Sequence, residues 1–203
     1  MRARDVMSAP VLTVRPGTPV KRAAELLAGK GYTALPVVDE DDRLVGVVTE
    51  ADVLRDRFPT DPRFRTDADD ADRPLPATVA EVMTTPAVAM SAGTDAAVLA
   101  RVMIADRRRC VPIVDGSRLV GVVTRRDLVR VLARPDNEVA TDLRRRLALI
   151  GGPGRWTVRV AGGTAEITDR YDEAADRHVA KVLAEAVPGV VHANVHSEPE
   201  NAV

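Results

Sequence analysis

The sequence predicts an α/β fold, a pseudo-twofold pair of β-α-β-β-α repeats, followed by a small α+β unit of order α-β-β-α-β. Three observations carry that prediction. First, the segments Asp5 to Arg55 and Glu81 to Arg130 match at a spacing of 76 residues, which aligns Met7, Pro10, Gly17, Thr18, Pro36 and Asp39 with Met83, Pro86, Gly93, Thr94, Pro112 and Asp115. After a one-residue deletion in a turn the spacing becomes 75, aligning Leu44, Gly46, Thr49, Asp52 and Arg55 with Leu119, Gly121, Thr124, Asp127 and Arg130. A unit that ends twice on Leu-Val-Gly-Val-Val-Thr-x-x-Asp is one supersecondary element written out again. Second, the apolar periodicity is the same in both copies. Third, it changes past Arg134-Pro135.

Each copy opens on a short strand, Val11 to Val14 or Ala87 to Met90. A helix follows, entered at Thr18-Pro19 or Thr94-Asp95, with threonine as the expected N-cap and proline or aspartate in the first turn. Its stripe is Val20, Ala23, Ala24 and Leu27 in the first copy and Ala96, Leu99, Ala100 and Met103 in the second, so the same face is buried twice. Two β-branched strands come next in the first copy, Leu35 to Val38 and Leu44 to Val48, joined by an acidic turn that the second copy shortens to Asp115-Gly116-Ser117. Near-continuous apolar strands of this kind are covered on both faces. A second helix begins after Thr49 and Thr124, with Val53-Leu54 and Leu128-Val129 as its expected buried side. Three strands and two helices cannot dry a core alone, so the copies are expected to pack sheet to sheet. The expected organisation is residues 1–57 and 79–133 for the repeats, with 58–78, rich in proline and aspartate, as an exposed linker.

In the tail, Val139, Leu143 and Leu147 mark a short amphipathic helix, and Trp156, Val158 and Val160 alternate on a strand. Gly162-Gly163 makes a hairpin turn into a partner strand with Ala165 and Ile167. A longer helix with Ala175, Val179, Val182 and Ala186 stops at Pro188-Gly189, before a last strand with Val191, Ala193 and Val195. Residues 137–198 thus form a separate small unit, near the lower size limit for folding alone.

Composition narrows the function. Apolar residues make up 45% of the 203, enough for real cores, while aromatics are 2%, so a bound base would lie between aliphatic side chains and backbone rather than on rings. A net charge of −1 gives no pull toward nucleic acid or anionic lipid. Arginine nonetheless outnumbers lysine by 26 to 3, supplying planar, phosphate-matching cations. The single Cys110 reads as a small buried thiol, and no signal-peptide run or long apolar span is present, which reads as cytoplasmic.

Thr49-x-x-Asp52 and Thr124-x-x-Asp127 each lie between a strand and a helix start, where unpaired backbone N–H groups suit an anion. A threonine hydroxyl adds a hydrogen bond, and a carboxylate there can accept two from a ribose diol. The same spacing also makes a capping box that only finishes a helix end; its recurrence in both copies favours the ligand reading. Arg107-Arg108-Arg109 and Arg125-Arg126 are either solvated cations or phosphate contacts, and the position of Arg125 and Arg126 inside the Thr-x-x-Asp spacer favours the second. His178, His192 and His196 lack a completing metal set, and no glycine-rich phosphate loop, nucleophile elbow or acid pair stands out, so no enzyme and no metal is expected.

The repeated motifs Met7-Ser8-x-Pro10, Gly17-Thr18-Pro19, Ala34-Leu35-Pro36-Val37-Val38-Asp39 and Leu44 to Asp52 resemble a tandem pair of cystathionine β-synthase (CBS) domains, the Bateman module. The resemblance implies adenosine-containing ligands in clefts between the halves, namely AMP, ADP, ATP or S-adenosylmethionine, and a homodimer. It implies one pocket of Leu12, Tyr32, Thr33 and Ala34 with Val122, Thr124, Arg125 and Asp127. It implies a second of Val88, Arg108, Arg109 and Cys110 with Val47, Thr49 and Asp52. The tail, from Trp156 to Thr168 and Val187 to Val195, is similar to the BON domain, with Asp169-Arg170 where a glycine usually stands. That likeness implies contacts with a protein partner, a membrane role being disfavoured. The rival expectation is a ligand-free dimeric scaffold whose tail contacts protein or phospholipid. Binding of RNA or DNA through the arginine clusters is disfavoured by neutral charge and scarce aromatics.

Overall fold

Helix α1 (Val20–Lys30) buries Val20, Ala23 and Leu27, as its periodicity dictates. The computed structural model describes residues 1–55, 57, 58, 63, 75–171 and 173–198, so most of the expected linker lies outside the described residues. These residues divide into two compact units.

The first unit spans Met7–Ala92 and Arg101–Thr124. Proline 19, not threonine, is the N-cap of α1; the Thr18 hydroxyl instead accepts the Arg15 N–H at 3.0 Å and closes the preceding turn. Gly31 ends the helix in the left-handed region at φ 64°, where a glycine carries no Cβ penalty. Strands β1 (Ala34–Val38) and β2 (Leu44–Thr49) pair antiparallel, with Ala34 opposite Thr49. Their inward residues Leu35, Val37 and Val48 close over Ala23, Leu27, Val14 and Val79. The strand expected at Val11 to Val14 shrinks to one bridge, Val14 to Val37, because Pro10 and Pro16 break the segment on both sides. Helices α2 (Glu50–Leu54) and α3 (Val79–Val82) each start on a capping box, Thr49 with Asp52 and Thr78 with Glu81. In the second repeat β3 (Met90–Ser91) runs parallel to β4 (Cys110–Asp115), after α4 (Ala96–Ala105), and β4 pairs antiparallel with β5 (Arg118–Thr124). At the start of α4 the Asp95 carboxylate accepts the Ala97 N–H at 2.7 Å.

The two repeats exchange segments. Val47 and Thr84 trade backbone hydrogen bonds at 3.1 and 2.9 Å, and the equivalent pair Val122 and Ser8 does so at 3.1 and 2.8 Å. Leu44 N–H donates to Ser117, and Leu119 N–H donates to Asp42, the same bond seen from the other copy. Glycine is needed where these segments cross. A Cβ on Gly46 would lie 2.7 Å from the Met83 sulfur, and one on Gly121 would lie 2.5 Å from the Met7 sulfur. The expected pseudo-twofold is therefore written into reciprocal contacts.

The second unit spans Met1–Val6, Gly93–Ala100 and Arg125–Val203. It holds α5 (Arg125–Leu132) and, in order, α6 (Asp136–Leu147), β6 (Trp156–Ala161), β7 (Thr164–Asp169), α7 (Ala174–Glu185) and β8 (His192–Ser197). Its sheet runs β6-β7-β8, with β6 and β7 antiparallel across the Gly162-Gly163 turn and β7 and β8 parallel. Val139, Leu143, Leu147, Trp156, Val158, Ala165 and Ile167 form its core with Ala180, Ala184 and Val187. The buried stripe of α7 is thus Ala180 and Ala184; the expected Val179 and Val182 are exposed, because the small alanines let the helix lie close on the sheet. Leu54 and Val129, expected inside, are exposed as well.

One ion network fixes the tail. The Arg155 guanidinium makes a two-pronged pair with Asp169 at 2.8 and 2.9 Å and also reaches Asp176 at 2.5 Å. It lies 4.7 Å over the Trp156 ring, whose indole N–H donates to Ile150 at 2.6 Å. Hydrogen bonding to Arg155 holds the buried Asp169 carboxyl below the usual carboxylate range and pushes Arg155 up. Arg134 ties the unit's entry, donating to Pro188 at 2.5 Å and to Asp142 at 2.7 Å. Among the described residues no helix is long and apolar enough to cross a membrane.

Candidate functional site

Antiparallel pairing of β1 with β2 brings Ala34 and Thr49 to one end of the first repeat's sheet, and exchange with the second repeat lays Thr84, Ala87 and Val88 beside them. Together with Asp106 to Cys110 and Pro112 they enclose a cleft of about 620 Å³ in the first unit. That volume lies within the range of small-molecule sites. Its walls are Ala34, Val47, Leu54, Ala87, Val88 and Pro112, without an aromatic ring, while Arg107, Arg108 and Arg109 stand at its rim with the hydroxyls of Thr33, Thr49 and Thr84.

Each arginine is held differently. Arg108 Nε lies 3.4 Å from Asp106, and Arg109 Nη1 lies 3.3 Å from Glu50 across the repeats. The Arg107 side chain has no hydrogen bond or ion pair with any described residue. Its backbone is at φ 53°, the left-handed region, at the position that Gly31 occupies in the first repeat. A non-glycine residue there is strained by roughly 1 kcal/mol or more.

Of the residues expected in the second pocket, Val47, Thr49, Val88, Arg108, Arg109 and Cys110 all line this cleft. Thr33 and Ala34, expected in the other pocket, line it too, since the register that sets Ala34 opposite Thr49 keeps them at one end of the sheet. Asp52 is absent from the lining. Its Oδ2 accepts the Thr49 N–H at 2.9 Å and the Thr49 hydroxyl at 2.7 Å, its Oδ1 is 3.6 Å from Arg55, and it is buried. Here the Thr-x-x-Asp spacing is a capping box, and of its two ends only Thr49 lines the cleft.

The remaining expected residues are described within their own units. Leu12 and Tyr32 are exposed, Val122 is bonded to Ser8, and Thr124 pairs with Cys110 in the first unit. In the second, Arg125 starts α5 and the buried Asp127 lies 3.4 Å from Arg130. Glu50, Ala51, Leu54, Thr84, Ala87, Asp106 and Pro112 were not foreseen at the site, and Arg107 was foreseen only as part of an arginine run suited to phosphate. The signal for Arg107 was its alignment with Gly31, and that for Thr84 was the glycine inside each β-branched run, which marks where another segment crosses. Among the described residues no group of three or more His, Cys, Asp or Glu could hold a metal ion.

The fold defines a class of protein: a duplicated α/β module whose halves exchange segments around a cleft. The CBS domain family model matches residues 3–58 and 79–134, more than half of the chain, and the chain belongs to that family. An uncharacterized protein, MJ1404, of Methanocaldococcus jannaschii is 30% identical over 134 residues, covering 65% of this chain and 32% of that protein. The crystal structure of CBSX2 in complex with AMP matches with a TM-score of 0.55 at 30% identity, covering 65% of this chain and 96% of that one. The CBS domain pair of protein MJ0100 in complex with 5-methylthioadenosine and S-adenosyl-L-methionine matches with a TM-score of 0.52 at 25% identity, covering 66% and 96%. The chain spans 27% and 32% of the length of two curated relatives.

Proposed function

We propose that this chain is a regulatory adenine-nucleotide sensor that acts by binding, not catalysis, and that its ligand sits in the cleft rimmed by Arg107, Arg108 and Arg109. The observation that carries this reading is the pairing of aliphatic walls with an arginine rim in one cavity of about 620 Å³. Val47, Val88 and Leu54 suit the faces of a base, the threonine hydroxyls suit a sugar, and the arginines suit a phosphate chain. Supporting it are the AMP bound by CBSX2 and the S-adenosyl-L-methionine bound by MJ0100. An arginine rim favours the anionic AMP, ADP or ATP over S-adenosylmethionine, whose sulfonium is a cation. Occupancy would bias the relative angle of the repeats by differential affinity. The tail, in the element order of a BON domain, would pass that on to a protein partner within a cytoplasmic homodimer.

A thermal-shift panel of ATP, ADP, AMP and S-adenosylmethionine tests this. At a hundredfold excess over Kd a native-state ligand adds about 2.7 kcal/mol, worth roughly 5 to 10 °C in Tm for a chain of this size. Arg109→Ala should remove most of the ATP shift. The scaffold reading is favoured by one observation, the turning of Asp52 onto its own helix, and it wins if no member of the panel moves Tm.

A further inference from the structure

We infer that Glu50 is the specificity-determining residue of the first unit's cleft, tuning it to a nucleoside monophosphate and against the triphosphate. This rests on the nucleotide reading above and adds the number of phosphates to it. Glu50 lines the cleft, and its carboxylate lies 3.3 Å from Arg109 Nη1, across the two repeats. Arg108 is paired in a similar way, its Nε 3.4 Å from Asp106, which also lines the cleft. The charged lining is thus three arginines and two carboxylates, a net charge of +1.

The helix start does not depend on an acid at this position. The capping box of α2 is closed by Thr49 and Asp52, and residue 50 is one of the two spacers between them. In the second copy the aligned residue is Arg125, in a spacer of the same length. The residues aligned with Arg108 and Arg109 are Tyr32 and Thr33, both uncharged, so the acid occurs in the copy whose spacer meets the arginines. Stability does not account for the pair either. Its side chains are 44% exposed at Glu50 and 68% at Arg109, and an ion pair so open to water contributes little. What the pair controls is charge at the rim. The Glu50 backbone N–H donates to the Thr33 carbonyl at 3.3 Å, which anchors the residue in the cleft wall. A monophosphate brings one phosphoryl group, about −2 in charge, close to what the rim offers. Each further phosphoryl group adds negative charge beside a standing carboxylate, and Arg109 must leave Glu50 to meet it.

Calorimetric titration of the full chain with AMP and with ATP tests this, in magnesium-free buffer so that the triphosphate keeps its whole charge. The wild type should bind AMP severalfold more tightly than ATP. Glu50→Gln should tighten ATP about fivefold, the range of one exposed ion pair, and AMP less than about twofold. Glu50→Lys, which adds a cation, should go further and place ATP ahead of AMP. Glu25→Gln, which breaks the exposed Arg22 pair on α1, should leave both affinities unaltered. The inference is overturned, with the sensor reading intact, by a wild type that prefers ATP, by a ratio that neither Glu50 variant moves, or by an equal change in Glu25→Gln. Binding of neither nucleotide by the wild type sinks the sensor reading itself and this inference with it.

Discussion

Arg107 holds two opposed tendencies in one residue. Its left-handed backbone, φ 53°, is the conformation that Gly31 supplies at the same point of the first repeat, and its guanidinium stands at the cleft rim without a protein partner among the described residues. Arg107→Gly should therefore stabilise the chain by about 1 kcal/mol, seen as a higher urea midpoint. The same change should weaken ATP binding by about 1 kcal/mol, roughly fivefold in Kd by calorimetry. A variant that gains stability and keeps its affinity would remove Arg107 from the ligand site. Asp169 shows the reverse economy, a buried charge that must keep its partner. Its folded carboxyl is held low by Arg155, so its contribution is present above the usual carboxylate range and is lost as pH falls through the depressed folded value. Asp169→Asn should cost about 3 kcal/mol near neutrality by leaving Arg155 under-paired. It should also flatten the acid limb of a stability profile measured from neutral pH down to pH 2.

Elements in this protein are fixed by what crosses them as much as by their own propensity. Gly46 and Gly121 interrupt two β-branched runs, an unfavourable choice for a strand, and the Met83 and Met7 side chains fill the space a Cβ would take. Gly121→Ala should destabilise by about 1–3 kcal/mol through overpacking. Combining it with Met7→Ala should recover part of that loss, giving a coupling of about 0.5–3 kcal/mol in a double-mutant cycle. Strict additivity would mean that the contact is not the cause. These glycines also show where the sequence was legible and where it was not. The stripe of α1 was read correctly because Val20, Ala23 and Leu27 are large or central enough to declare a face. That of α7 was misread because its real face is Ala180 and Ala184, and Val179, one position away, and Val182, two away, look more apolar than the alanines that touch the sheet.

At the scale of the whole molecule, duplication made the architecture readable, since every motif could be checked against its own copy. The site was less so. A Thr-x-x-Asp run names a helix start equally well as a cap and as a ligand contact, and only the register of β1 with β2 decides that Thr49 faces the cleft while Asp52 seals the helix. That division of labour bears on how affinity should respond to salt. The cleft walls are aliphatic, and of the arginines at the cleft Arg109 is 68% exposed at its side chain and Arg108 34%. Base burial is indifferent to screening, whereas phosphate attraction at an exposed rim weakens as the Debye length falls from about 10 Å at 0.1 M salt to about 3 Å at 1 M. Across that range ATP affinity should drop roughly tenfold, a loss of about 1.4 kcal/mol, while adenosine affinity should hold or rise slightly as salt strengthens apolar burial. Titrations of both ligands at the two salt concentrations measure the difference directly. Parallel profiles would assign the binding energy to the walls alone and leave the three arginines without a role in the ligand.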